Sequence, residues 1–331
     1  MPAALSAPTG QAQPAPRPAH DPATATVSVV IACYTEDRWE GLSAAVHSAL
    51  TQTQAPLEVI VAVDHAPALL ARVQRELPQV RAVANTDTPG ASGTRNAGAA
   101  LARGDVLAFL DDDTRATPTW LARLLEALLA APGTAGAGGR VGGAWPHGGS
   151  PRWFPPEFLW AVGVTHQGMP DTRSQVRNVW AENMALWRTG FHAVGGFRDG
   201  FGKLGGNSRP EDTELCLRVA QASGGSWVYE PDAQVVHAVP ADRTTWPFFI
   251  RRCWAEGRGK AELAAWTQGS ALTDERAHVL GAIPRGILRD LGSALHGNPW
   301  GLPRAATATL GVLTAAAGYL TGRCQRPPTH P

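Results

Sequence analysis

The sequence predicts an α/β fold, a doubly wound and mostly parallel sheet with a helical extension at its C-terminal end. Three observations predict it. Short apolar runs such as 27–33 "VSVVIAC", 57–64 "LEVIVAVD" and 106–110 "VLAFL" are continuous rather than alternating, as in strands covered on both faces. Segments with helical apolar spacing lie between them. The runs end in polar or acidic groups, and parallel sheets of this kind bind ligands at the carboxyl ends of their strands.

The first strand, 27–33, leads into a helix over 38–53 and the second strand ends at Asp64. A helix over 67–77, a third strand 80–85 "VRAVAN" and a Gly-rich turn with a small-residue helix, 88–105, then lead into the strand 106–110. That strand runs directly into Asp111, Asp112 and Asp113. Two carboxylates ~5 Å apart at an effective dielectric near 20 repel by about 3 kcal/mol, so such a cluster at a core's edge calls for a cation. Asp64 and Thr35–Glu36 close the neighbouring strands, which puts three polar strand ends along one rim. Thr117 before Pro118 is expected to cap the helix 120–130. "GASGTRNAG" does not match a phosphate-loop pattern but sets Arg95 at a helix start near the same rim.

The second half is expected to hold a strand near 139–144, an aromatic, irregular stretch 151–160 and a strand or turn carrying Glu182–Asn183. A glycine-rich loop over 199–208 resembles a lid. Pro210 fits the first position of a helix whose first turn carries Glu211, Asp212 and Glu214, where acids meet the positive dipole end. Two strands follow, 226–230 and 233–237, the latter ending in His237. From Trp246 onward the pattern is helical, with Pro284 kinking or dividing one helix. The expected organisation is a Pro/Ala-rich disordered leader 1–26, a catalytic domain 27–245 with halves 27–115 and 116–245, and the extension 246–331.

Composition narrows the function. The formal net charge of +1 offers no global field for nucleic acid. Four dispersed cysteines without CxxC spacing read as reduced thiols, and the leader lacks the features of a secretory signal, so a cytoplasmic protein is expected. Residues 305–322 carry no charge but are rich in Ala, Thr and Gly, which favours a packed helix over a membrane span and leaves peripheral contact with the inner face of the membrane open.

"VSVVIACYTEDR", "VIVAVD", "GTRNAGAALARGD", "FLDDD", "NMALWRTGFHAVGGF" and "EDTELCLRV", in that order, resemble the inverting family 2 glycosyltransferases of GT-A fold over about 27–237. The helical tail looks like that of non-processive bacterial members. The resemblance implies a nucleotide-diphosphate sugar donor, a small-molecule, lipid-linked or glycan acceptor, and Mg²⁺ or Mn²⁺, hard cations suited to oxygen ligands. It makes "LDDD" the DxD motif, with Asp113 on the metal, Asp111 or Asp112 near the ribose, and His237 a further metal ligand. It places Ala32, Tyr34 and Glu36 around the nucleoside, Asp64 at the base and Arg95 nearby. Asp212 matches the catalytic base, Glu211 orients the acceptor or the loop, and Arg251, Arg252, Arg258 and Lys260 are candidate diphosphate or acceptor contacts. The chain departs from the family's pattern at Ala32, Thr35 and His65, which leaves donor identity open. "RRCW" lacks the glutamine of the processive signature, so transfer of a single sugar is expected. The other readings are a nucleotidyltransferase acting on sugar phosphates and a catalytically silent sugar-nucleotide-binding protein.

Overall fold

The computed structural model describes residues 25–199, 201–204, 207–266 and 273–324, so most of the expected leader lies outside the described residues. The N-terminal half alternates as expected: β1 (Val27–Cys33), α1 (Trp39–Leu50), β2 (Glu58–Asp64), α2 (Pro67–Glu76), β3 (Arg81–Asn85), α3 (Ala91–Leu101) and β4 (Val106–Asp111). Strands β3, β2, β1 and β4 are neighbours and all parallel. Val29, Val30 and Ile31 are fully buried, which explains their unbroken apolar run.

Beyond β4 the chain adds β5 (Thr114–Ala116), α4 (Trp120–Leu129), β6 (Thr134–Ala144), β7 (Ser174–Val176), β8 (Asn183–Trp187) and α5 (Arg188–Ala193). A two-stranded hairpin, β9 (Gly202–Leu204) with β10 (Asn207–Arg209), precedes α6 (Glu211–Ser223) and β11 (Ser226–Ala238). The loop read as a lid is this hairpin, and residues 205–206 lie outside the described residues. The full sheet has nine strands in the order β3-β2-β1-β4-β8-β6-β11-β5, with β7 paired to β11. β8 runs antiparallel to both β4 and β6, so the sheet is mixed but mostly parallel. Leu42, Val46, Leu69, Val73, Leu121 and Leu124 pack one face, while Ala99, Phe191, Leu215, Cys216 and Val219 pack the other. Helices thus cover both sides.

Four local expectations need correction. Thr117 does not cap α4: its hydroxyl donates to the Gln234 carbonyl, and Thr119 holds the cap position without a side-chain bond. Pro210 is the residue before α6 rather than its first position. The strand near 139–144 begins at Thr134. The two strands expected over 226–237 are one, β11, interrupted by a register shift against β6 between Glu230 and Val235. A bulge ends the apolar run without ending the strand.

The extension comprises α7 (Trp246–Trp266), α8 (Thr273–Ala277), a π-helical turn His278–Ala282, α9 (Ile283–Leu295) and α10 (Gly301–Cys324). Pro284 lies in the first turn of α9, and the wide turn directly before it divides the helix as expected. α10 packs along α7, and a Cβ at Gly257 would collide with the Ala315 carbonyl, so these helices cross at backbone contact distance. Phe154 and Phe158 of the aromatic stretch are buried with Phe249, Cys253, Ile283 and Ala308, joining the extension to the α/β body. Those rings wall a core. Cys33, Cys216 and Cys253 are buried free thiols, and Cys324 is exposed.

Candidate active site

The register of the parallel strands creates the rim. Ala32 on β1 lies beside Asp111 on β4, and Asp64 on β2 lies beside Asn85 on β3. Tyr34 follows β1 and is 54 % exposed, with the Arg38 guanidinium 5.2 Å from its ring centroid. Glu36 is exposed nearby, 3.7 Å from Arg72. Asp64 uses both oxygens locally: Oδ1 accepts from Asn85 Nδ2 and Oδ2 from the Gly90 amide, each at 2.8 Å. It therefore shapes the turn that starts α3, while 16 % of its side chain stays exposed.

The three aspartates divide in role. Asp111 remains partly open and accepts from Arg95 Nη2 at 2.6 Å. Asp112 turns inward, 3 % exposed, to Arg38 at 2.9 Å. Burial, the first cause, and the charges of Asp113 and Asp111 outweigh Arg38 and push its pKa to about 7. Asp112 is thus a buried carboxyl beneath the rim, and the structure does not set its side chain beside Asp111 among the open groups. Asp113 goes the other way. Burial would raise its pKa, but His237, Arg38 and Arg243 outweigh it and hold it at about 2.

Asp113 meets His237 because β5, directly after it, pairs antiparallel with β11 so that His237 lies opposite Thr114. The Ala238 amide donates to the Asp113 carbonyl at 2.8 Å, and His237 Nε2 stands 3.4 Å from Asp113 Oδ2. His237 is 2 % exposed and its Nδ1 has no hydrogen-bond partner. Glu182 joins them: one ligand atom each from Asp113, Glu182 and His237 lie within 4.8 Å of one another. Two carboxylates and one imidazole, whose Nδ1 is buried without a partner, fit a divalent cation such as Mn²⁺ or Mg²⁺. Gly163, at φ +75°, packs over this group: a Cβ there would lie 3.1 Å from His237 Cε1 and 3.8 Å from Glu182 Oε1.

Sequence reading marked Glu182 only as part of a strand or turn. Its signal lies in its neighbour. Asn183 is buried, accepts from Trp120 Nε1 at 2.8 Å and donates to the carbonyls of Arg140 and Ala233. One amide thereby ties β8 to β6 and to the bulge of β11, and Glu182 and His237 are fixed on either side of it.

Arg95 connects the end of β4 to α6. It is 4 % exposed, and besides Asp111 its Nη1 donates to Glu211 Oε1 at 3.4 Å. Asp212, the next residue, lies within the electrostatic reach of Arg95 and of Lys260 on α7. Burial raises the Asp212 pKa, opposed by the Thr213 amide, Lys260 and Arg95. Lys260 does not reach outward for a ligand. Its ammonium sits 3.3 Å from Glu256 and 2.7 Å from Glu275, which Arg177 also clamps. Arg252 pairs with Glu256 at 3.1 Å and lies against the Trp160 ring, while Arg251 and Arg258 are exposed.

A mixed sheet wound on both faces, with carboxylates gathered at its parallel strand ends, defines an α/β enzyme class that binds ligands at that rim. The glycosyl transferase family 2 model matches residues 28–193, and the chain belongs to that family and is a glycosyltransferase. It is 32 % identical over 238 residues to the glucosyl-dolichyl phosphate glucuronosyltransferase of Haloferax volcanii, covering 71 % of this chain and 76 % of that one. The succinoglycan biosynthesis protein ExoM of Rhizobium meliloti is 30 % identical over 220 residues, 64 % of this chain and 66 % of its own. Among solved structures, a mannosyltransferase of Pyrobaculum calidifontis in complex with GDP-Man and Mn²⁺ superposes with a TM-score of 0.55 at 18 % identity, over 91 % of this chain and 88 % of that one. GalNAc-T7 with UDP, GalNAc and Mn²⁺ gives 0.51 at 19 % identity, over 76 % of this chain and 52 % of the other. These likenesses show the GT-A fold.

Proposed function

We propose that this chain is a metal-dependent, inverting transferase that moves one sugar from a nucleoside-diphosphate donor to an acceptor hydroxyl. The observation that carries the reading is Arg95: one buried guanidinium lies between strand-end Asp111 and the Glu211–Asp212 pair. It joins the rim of the sheet to the first turn of α6.

In this reading Asp113, Glu182 and His237 hold the cation, which when bound offsets charge growing on the departing diphosphate. Tyr34, Glu36 and Asp64 line the nucleoside side and Asp111 the ribose. An alcohol is a weak nucleophile near neutral pH, so a carboxylate must take its proton as attack proceeds. Asp212 is that base. The acceptor oxygen bonds to the anomeric carbon on the face opposite the diphosphate, the bond from carbon to diphosphate oxygen breaks, and the hydroxyl proton passes to Asp212. Glu211, held by Arg95, orients the acceptor. We take the acceptor to be a glycan hydroxyl on a lipid carrier, in line with the glucosyl-dolichyl phosphate named for the Haloferax relative. The site would face the cytoplasm.

The test is donor-dependent release of nucleoside diphosphate with Mn²⁺ or Mg²⁺, the donor first chosen by thermal shift among UDP-, GDP- and dTDP-sugars. Asp212→Asn should bind donor normally and transfer at least about a hundredfold more slowly. Equal turnover by this variant would remove Asp212 from the role, and retention of anomeric configuration in the product would remove the inverting mechanism. Pyrophosphate as product would point to a nucleotidyltransferase instead. Donor binding without transfer to any of a broad set of acceptors would leave a silent sugar-nucleotide-binding protein.

A further inference from the structure

Ten of the fifteen exposed large apolar side chains among the described residues fall between Val279 and Leu320, on the outer helices of the extension. Soluble surfaces carry such side chains singly, so this concentration marks a surface that is meant to be covered. The pattern is periodic on each helix. On α9, Leu288, Leu291 and Leu295 share one stripe, 68 %, 39 % and 89 % exposed, while Ile283, Gly286 and Asp290 on the other side are buried. On α10, Leu302, Leu313 and Leu320 recur at spacings of eleven and seven and are 62 %, 61 % and 63 % exposed. Ala305, Ala308, Gly311 and Gly318 occupy the inward side of that helix.

Charge selects the occupant. Residues 278–324 contain four arginines and one acid, Asp290. That acid is buried and already paired with Arg289 and Arg304, while Arg285 and Arg323 stand exposed beside the leucine stripes. At the turn between the helices, Arg152, Trp300 and Arg304 line an open cavity of about 450 Å³. Leucines outward with arginines along their edges are the chemistry of a helix lying in the headgroup region of an anionic bilayer. A second copy offers no exposed acid among residues 278–324 to pair with Arg285 or Arg323. No helix among the described residues is long and apolar enough to cross a membrane.

We propose that α9 and α10 form a docking face that lies on an anionic lipid surface, with the leucine stripes among the acyl chains and the flanking arginines at the phosphates. This face is separate from the residues assigned to catalysis, and the proposal does not depend on the mechanism above.

The test is co-sedimentation of the full chain with phosphatidylcholine vesicles, with and without phosphatidylglycerol. The wild type should pellet with the anionic vesicles and be released by high salt. The triple variant Leu288→Ser, Leu291→Ser, Leu295→Ser should keep its circular dichroism melt and lose roughly tenfold or more in partitioning. Arg285→Glu should weaken binding to anionic vesicles only. A wild type that stays in the supernatant with both vesicle types overturns the proposal. So does a salt-stable dimer that the triple variant converts to monomer, since the occupant would then be a second copy. Binding that appears only after removal of residues 1–24 would name that segment as the occupant and overturn it equally.

Discussion

Arg95 Nη2 lies 2.6 Å from Asp111 Oδ1, and this pair stands between the strand ends of the sheet and the helix carrying Asp212. The same guanidinium reaches Glu211, so two carboxylates from distant parts of the chain share one buried cation. Its removal leaves Asp111 and Glu211, each partly exposed, without their shared cation. Arg95→Met should therefore cost about 1–3 kcal/mol in urea unfolding. Arg95→Lys should recover only part, because an ammonium cannot serve both acids with a planar fork. A loss below about 1 kcal/mol for Arg95→Met would mean the pairing contributes little.

The group Asp113, Glu182 and His237 predicts a metal-dependent melting temperature. At a hundredfold excess over its Kd, Mn²⁺ should stabilise the wild type by about 2.7 kcal/mol. Glu182→Gln and His237→Ala should each lose most of this increment, measured against the same variant's melt in chelator. Equal Mn²⁺ responses in all three proteins would place the metal elsewhere.

Lys260 lowers the pKa of Asp212 from a helix outside the α/β body, together with Arg95 and against Glu256. In the proposed mechanism Asp212 acts as base when deprotonated, so the acid limb of the kcat/KM profile should follow this pKa. Lys260→Met should move that limb to higher pH, with the rate at alkaline pH less affected. An unmoved limb with a uniformly lower rate would reduce Lys260 to a structural member of the cluster with Glu256 and Glu275.

Glu58 offers a stability test far from the site. Burial would raise its pKa, yet Arg81, the Arg103 amide and Ser28 hold it down, from 4.5 to about 2. A depressed carboxyl stabilises the fold above its unfolded pKa and loses that contribution as pH falls through its folded one. The window is therefore pH 4.5 down to about 2, over which the wild type should lose up to about 3 kcal/mol from this residue. Glu58→Gln should be less stable at pH 7 and show a flatter stability curve across that window, read by urea titration at each pH.

The sheet's parallel half was legible because strands covered on both faces must be apolar throughout, and the acidic ends of β2 and β4 stood out against those runs. Asp113, His237 and Asp212 were singled out only through motif resemblance, since nothing local in "AQVVH" sets His237 apart from a packed histidine. Glu182 escaped because its placement comes from Asn183, whose three partners lie on α4, β6 and β11. The single nature of β11 escaped for a related reason: "PDA" at 231–233 reads as a break, and only pairing to β6 on both sides of it shows a continuous strand. The inward turn of Asp112 was not legible because three adjacent aspartates look alike in sequence, and it is set by the tight turn between β4 and β5, where Asp112 pairs with Arg38.

Successive residues of β11 also alternate in direction, and His237 comes shortly after the bulge that Asn183 fastens through the Ala233 carbonyl. The imidazole's aim is consequently a matter of counting. Deleting one residue between 231 and 234 would leave every pocket-lining side chain chemically intact yet rotate the histidine to the sheet's far side. Homologues with an altered length there should be expected to have lost the histidine from this cluster or to have acquired a compensating change in β5.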